Sequence, residues 1–87
     1  MVKRNARTNE AARLRRRGEH QSDNGASSKA FQSFLEAAKL GDEEAQVWVG
    51  YAYAYGIFPK INVEKALHWW KCAYSQGSWA AAFNLGM

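Results

Sequence analysis

The apolar positions after residue 29 recur at helical spacing. Ala30, Phe34, Ala37 and Ala38 stand at i, i+4, i+7 and i+8, one face of a helix, and Gly41 follows as a left-handed stop. Asp42 suits an N-cap, because its carboxylate can accept a backbone N–H that the first helical turn leaves unpaired. Glu43 and Glu44 fall in that first turn, where negative charge opposes the positive end of the helix dipole. Ala45, Trp48, Val49, Ala52 and Tyr53 then continue at i, i+3, i+4, i+7 and i+8. The stretch "GYAYAYG", Gly50 to Gly56, alternates Tyr and Ala, and alone it has the period of a half-buried strand. In context it is the tail of the helical pattern that begins at Ala45. Gly56 closes that pattern and Pro59 bars its continuation. Asn62 caps a third helix, Gly77 stops it, and Ser78 caps a fourth. The predicted helices span about 28–40, 43–55, 63–76 and 79–87, the first capped near Ser27 or Ser28.

The pattern also repeats. "KAFQSFLEAAKLGDEEAQVWVG" (29–50) aligns without a gap on "KALHWWKCAYSQGSWAAAFNLG" (65–86), at an offset of 36 residues. Lys29 falls on Lys65, Ala30 on Ala66, Phe34 on Trp70, Ala37 on Ala73 and Gly41 on Gly77; Ala45 falls on Ala81, Val49 on Leu85 and Gly50 on Gly86. A period of this size is the signature of stacked helical units. The small residues let helix backbones approach, and Trp, Tyr and Phe fill the space between. One hairpin cannot bury such a face alone and needs a neighbouring unit. The fold class expected is therefore all-α: antiparallel helical hairpins stacked as an α-solenoid.

These residues resemble the Sel-one-like repeat (SLR) family, relatives of the tetratricopeptide repeats. Ala66, Trp69, Trp70, Ala73 and Gly77 match the first helix of that family's unit. Ala45, Val49, Gly50, Tyr53 and Gly56 match the second, and Asn62, Lys65 and Ala66 match the restart into the next unit. The resemblance covers residues 29–87 and gives one and a half units, 27–61 and an incomplete 62–87. It departs at Phe58-Pro59, where the family has a Gly-Val turn, at Cys72 in place of Lys, and at Ser33 in place of Trp. The Tyr-x-x-Gly that should follow Leu85-Gly86 is absent, so a truncated or fragmentary member is expected. The resemblance implies a non-catalytic scaffold or adaptor that holds a partner protein or peptide on a concave helical surface. Some cysteine-rich members are described as β-lactamase-like hydrolases, but they carry a cysteine pair per repeat and this chain has one cysteine in all.

Charge divides the chain. Residues 1–17 carry seven basic residues and one acid, whereas the remainder carries five lysines and seven acids. The overall +4 therefore belongs to the N-terminus, and the remainder of the chain is mildly acidic. Residues 18–28 hold no apolar residue larger than Ala. Together these features predict a disordered basic arm and linker over 1–26. Its run "RLRRR", with Arg13, Arg15, Arg16 and Arg17, is the candidate for phosphates or an anionic surface, so nucleic-acid or anionic-membrane binding is the alternative function. No aromatic residue interleaves with the arginines, so base stacking is not suggested. The basic N-terminus lacks an apolar core, so a secretory leader is not expected, and no run suits a membrane span. The cytoplasm is the compartment expected. A mitochondrial transit peptide is the alternative for an Arg-rich, acid-poor N-terminus.

Candidate chemistry is sparse. His68 and Cys72 share a helix face at i and i+4, but a structural zinc wants four ligands and the other histidine, His20, lies in the expected linker. They are read as an ordinary surface histidine and a semi-buried cysteine. No phosphate loop, nucleophile elbow or paired-carboxylate site is apparent, so no cofactor, metal or catalytic residue is expected. Trp69 and Trp70 point about 100° apart on a helix, so both need not be buried in one interface. Tyr51, Tyr55, Trp69 and His68 are the candidate partner-binding residues. The blunt C-terminal end is a second candidate surface, for self-association.

Overall fold

The computed structural model describes residues 6–23, 27–56 and 60–86. Their regular structure is five helices: α1 (Ala6–Asp23), α2 (Ser27–Lys39), α3 (Glu43–Tyr55), α4 (Val63–Ser75) and α5 (Trp79–Asn84). Each substantial helix–helix interface joins sequence neighbours: α1 with α2, α2 with α3, α3 with α4, and α4 with α5. That chain of nearest-neighbour contacts is the packing of a one-dimensional helical array.

The two hairpins turn in the same way, residue for residue. Asp42 N donates to Ala37 O (3.0 Å) and Gly41 N to Ala38 O (3.0 Å). Thirty-six residues on, Ser78 N donates to Ala73 O (3.1 Å) and Gly77 N to Tyr74 O (2.8 Å). These are the paired bonds of a Schellman motif. It needs a left-handed residue after the helix, and Gly41 (φ 99°) and Gly77 (φ 95°) supply it. The next residue starts the following helix: the side chain of Asp42 accepts from Ala45 N (2.9 Å) and that of Ser78 from Ala81 N (3.1 Å). Asn62 caps α4 likewise, accepting from Lys65 N at 3.0 Å. A buried amide then ties the two turns together. Gln46 Nε2 donates to Ala38 O (3.1 Å), while Gln76 Nε2 lies 2.9 Å from both Gln46 Oε1 and Gly41 O.

The core runs between the helices as a seam of small and aromatic side chains. Ala30, Ala37, Ala45, Ala73 and Ala81 are fully buried. Phe31 meets Tyr53 edge-on (5.5 Å, 90°), and Phe34 stacks on Trp48 (4.0 Å, 15°). Trp70 lies across the backbone of α3, its Nε1 donating to Val47 O at 3.2 Å. A Cβ at Gly50 would stand 2.2 Å from that nitrogen, so glycine is what lets α3 and α4 approach.

The N-terminus corrects the expectation of a disordered arm and linker. Residues 6–23 form α1, which packs on α2; residues 1–5 and 24–26 lie outside the described residues. The physical reason is a narrow stripe inside the charged sequence. Ala11, Leu14 and Gly18 stand at i, i+3 and i+7, and all are buried with Ala12. Gly18 repeats the role of Gly50: a Cβ there would stand 2.9 Å from the ring of Phe34, the residue that aligns with Trp70. Thus α1 sits on α2 as α3 sits on α4. Buried Ser33, where the family has Trp, accepts from Arg17 Nε (3.0 Å) and donates to Gln21 Oε1 (2.6 Å), both on α1. The chain has given that space to the added helix. At the other end, α5 is shorter than the expected 79–87, because Leu85 and Gly86 turn away with Gly86 at φ 77°. The Phe58-Pro59 departure lies outside the described residues.

Candidate functional site

A row of aromatic rings runs along α3, at Trp48, Tyr51 and Tyr55, spaced i, i+3 and i+7. Trp48 is anchored by its stack on Phe34. Tyr51 stands edge-on to Trp70 (5.8 Å, 78°) and its hydroxyl donates to Asn84 Oδ1 of α5 (3.1 Å). Tyr55 stacks on Tyr51 (5.8 Å, 20°) and is 67% exposed. These rings are held by neighbouring rings and a cross-helix hydrogen bond, so little side-chain freedom remains for a partner to freeze. His68 and Trp69 form a second pair, on α4, with rings edge-on at 5.1 Å. Trp69 is partly buried against the core and His68 is exposed. The four candidate partner-binding residues therefore make two ring pairs on adjacent helices.

His68 Nε2 lies 3.7 Å from Cys72 Sγ. Among the described residues no group of three or more His, Cys, Asp or Glu side chains could hold a metal ion.

A groove of about 350 Å³ opens between α1 and α3. Phe34 of α2 forms its floor, and Val47, Trp48 and Tyr51 form the α3 side. Arg15 and Glu19 of α1 face Glu44 across it. Arg15 Nε lies 3.0 Å from Asp42 Oδ2, close enough for an ion pair but not aligned as a hydrogen bond. Its NH1 lies 3.1 Å from Glu44 Oε2 and 3.4 Å from Glu19 Oε2. Burial alone would lower the Arg15 pKa, but the nearby carboxylates, Asp42 first, outweigh it and hold the guanidinium above its ordinary value. Asp42 thus serves twice: it caps α3 and anchors α1 to it. Sequence reasoning placed Asp42 and Glu44 at the start of α3 but could not pair them with Arg15.

The arginine run is divided by the helix. Arg13 pairs with Glu10, one of the contacts spanning 2.6 Å; Arg17 NH2 reaches Glu36 Oε2 at 3.1 Å, and Arg15 faces the groove. Arg16 is exposed. Three of the four candidate anion-binding arginines are already held by protein carboxylates. The C-terminal end carries apolar surface: Trp79 is 85% exposed and Phe83 79%. No described helix is long and apolar enough to cross a membrane.

Sequential packing, a 36-residue period and identical turns define an α-solenoid of helical hairpins. Residues 43–78 match the family model described as Sel1 repeat, so the chain carries a Sel1-like helical repeat over that span. The matched span takes in all of α3 and α4, the pair locked by Gly50 and Trp70. No curated protein and no solved structure matches the chain. Sel1 repeats generally mediate protein–protein interaction.

Proposed function

We propose that this chain is a non-catalytic interaction module that holds a partner protein or peptide against the aromatic surface of α3 and α4. The observation that carries the reading is the stacked Tyr51–Tyr55 pair, with Tyr55 67% exposed on a rigid helix of a Sel1-like repeat. Aromatic rings with a polar edge supply large contact area at low entropic cost, which is why they dominate binding hot spots. Trp69 and His68 extend that surface onto the next helix. The two helices are fixed to each other by their glycine–tryptophan contact, so the two ring pairs keep a constant spacing.

The test is site-specific photo-crosslinking from a probe at Lys71, an exposed position on α4, in cells that produce the protein. Crosslinked species should appear with the parent sequence and fall at least tenfold in a Tyr55→Ala/Trp69→Ala variant whose far-ultraviolet circular dichroism is unchanged. The same crosslinks at the same yield from that variant would overturn the reading.

A further inference from the structure

The groove between α1 and α3 has a chemistry of its own, and the inference drawn from it rests on the interaction-module reading. Three carboxylates, Glu19, Asp42 and Glu44, surround the single guanidinium of Arg15. Their formal sum is two negative charges. Asp42 caps α3 and pairs with Arg15 through the same oxygen, Oδ2, and its side chain is only 14% exposed. The other two are more open. Glu19 and Glu44 each meet Arg15 through Oε2, and their side chains stay 49% and 69% exposed. An ionised carboxylate offers about four acceptor positions, so both keep capacity facing the groove. Beside them lie Val47, Trp48 and Tyr51, an apolar and aromatic wall with Phe34 beneath.

An occupant must therefore be cationic at one end and apolar along its stem. The volume, about 350 Å³, suits one long side chain rather than a helix. A planar guanidinium meets both demands better than an ammonium, since it can fork onto carboxylates and lie against aromatic faces. Arg15 itself shows that these carboxylates accept a guanidinium. We infer that the α1–α3 groove is a docking site for an arginine side chain of a basic segment in the partner protein. Glu19 and Glu44 would receive the guanidinium, and Trp48 and Tyr51 would receive its aliphatic stem. The site exists because α1 packs beside α3, and the matched repeat supplies only one of its walls, since the other is α1.

The probe is the peptide acetyl-Leu-Arg-Leu-amide, with its citrulline analogue as a neutral control of the same shape. Both are titrated into the ¹⁵N-labelled full chain at low salt. The arginine peptide should shift the Trp48 indole N–H and the Val47 and Tyr51 amides. Its affinity should fall at least tenfold for the citrulline peptide. It should fall at least fivefold in Glu19→Gln/Glu44→Gln, and stay unchanged in Glu64→Gln, which removes an exposed acid on α4. All four side chains are at the surface or on the ligand, so the fold is not at risk. Equal binding of the two peptides, or indifference to the double substitution, would overturn the inference. Shifts centred on Tyr55 and Trp69 instead would also overturn it, yet leave the interaction-module reading standing. Groove shifts in a protein whose crosslinks ignore Tyr55 and Trp69 would do the reverse. Concentration-dependent groove shifts in the absence of peptide would assign the groove to a second copy and refute the arginine occupant.

Discussion

Replacing Gly50 by alanine is the sharpest test of how the array is assembled. On helix propensity alone the change should stabilise α3, by about 1 kcal/mol. The structure predicts the opposite sign. The new Cβ would stand 2.2 Å from Trp70 Nε1, 2.4 Å from Cδ1 and 2.8 Å from Cε2. Ordinary contact requires about 3.5 Å or more, so the indole must retreat by over about 1 Å. It is buried among close-packed neighbours, and such overpacking costs about 1–3 kcal/mol. The retreat also breaks the bond from Trp70 Nε1 to Val47 O, leaving a buried donor unpaired at a further cost of about 1–3 kcal/mol. Subtracting the propensity gain leaves a net destabilisation of about 1–5 kcal/mol, centred on about 3. For a domain of this size that central value lowers Tm by roughly 10 °C or more. Urea unfolding followed at 222 nm measures it. The control is the same substitution in a Trp70→Phe background, where the smaller ring should reduce the cost by at least about 1 kcal/mol. A Gly50→Ala protein as stable as the parent, or more so, would refute the close helix approach on which the fold description rests.

Two further outcomes are expected. Leu14→Ala should destabilise the whole domain by about 2–3 kcal/mol in the same urea assay, because Leu14 is buried against α2; a free arm would show no change. Trp79→Ser/Phe83→Ser should abolish concentration-dependent self-association in sedimentation equilibrium, since those rings dominate the exposed apolar end. A parent protein that stays monomeric across the concentration range would exclude that surface as a self-contact.

The candidate site was legible in pieces. Tyr51 and Tyr55 were candidate partner-binding residues outside the apolar i, i+3, i+4 pattern that begins at Ala45, and both are exposed. The acidic start of α3 was equally visible, as a cap and a dipole complement. Their meaning as one wall of a groove was not, because the other wall belongs to α1. That helix was hidden by composition. Seven basic residues dominate residues 1–17, and the apolar stripe is only Ala11, Leu14 and a glycine that looks like a linker residue. Gly18 marks a buried contact because Phe34 lies over it, and nothing local to Gly18 says so. The amide chain of buried Gln46 and exposed Gln76 escaped notice for the same reason: its partners come from two turns distant in sequence.

By itself, the sequence determined the helices of the repeat, their caps and stops, and the 36-residue period that stacks them. Those features rest on bonds between residues no more than about five apart, such as Asp42 to Ala45 N or Asp42 N to Ala37 O, so local pattern suffices to specify them. Only the tertiary structure decided that α1 is a helix of the array, that Arg15 sits among Asp42, Glu44 and Glu19, and that a groove opens beside Trp48. An isolated α1 is poorly amphipathic and charged, and such a helix is marginal in water on its own. Its order comes from burying Leu14 and Gly18 on α2, a free energy that exists only once the two helices have met.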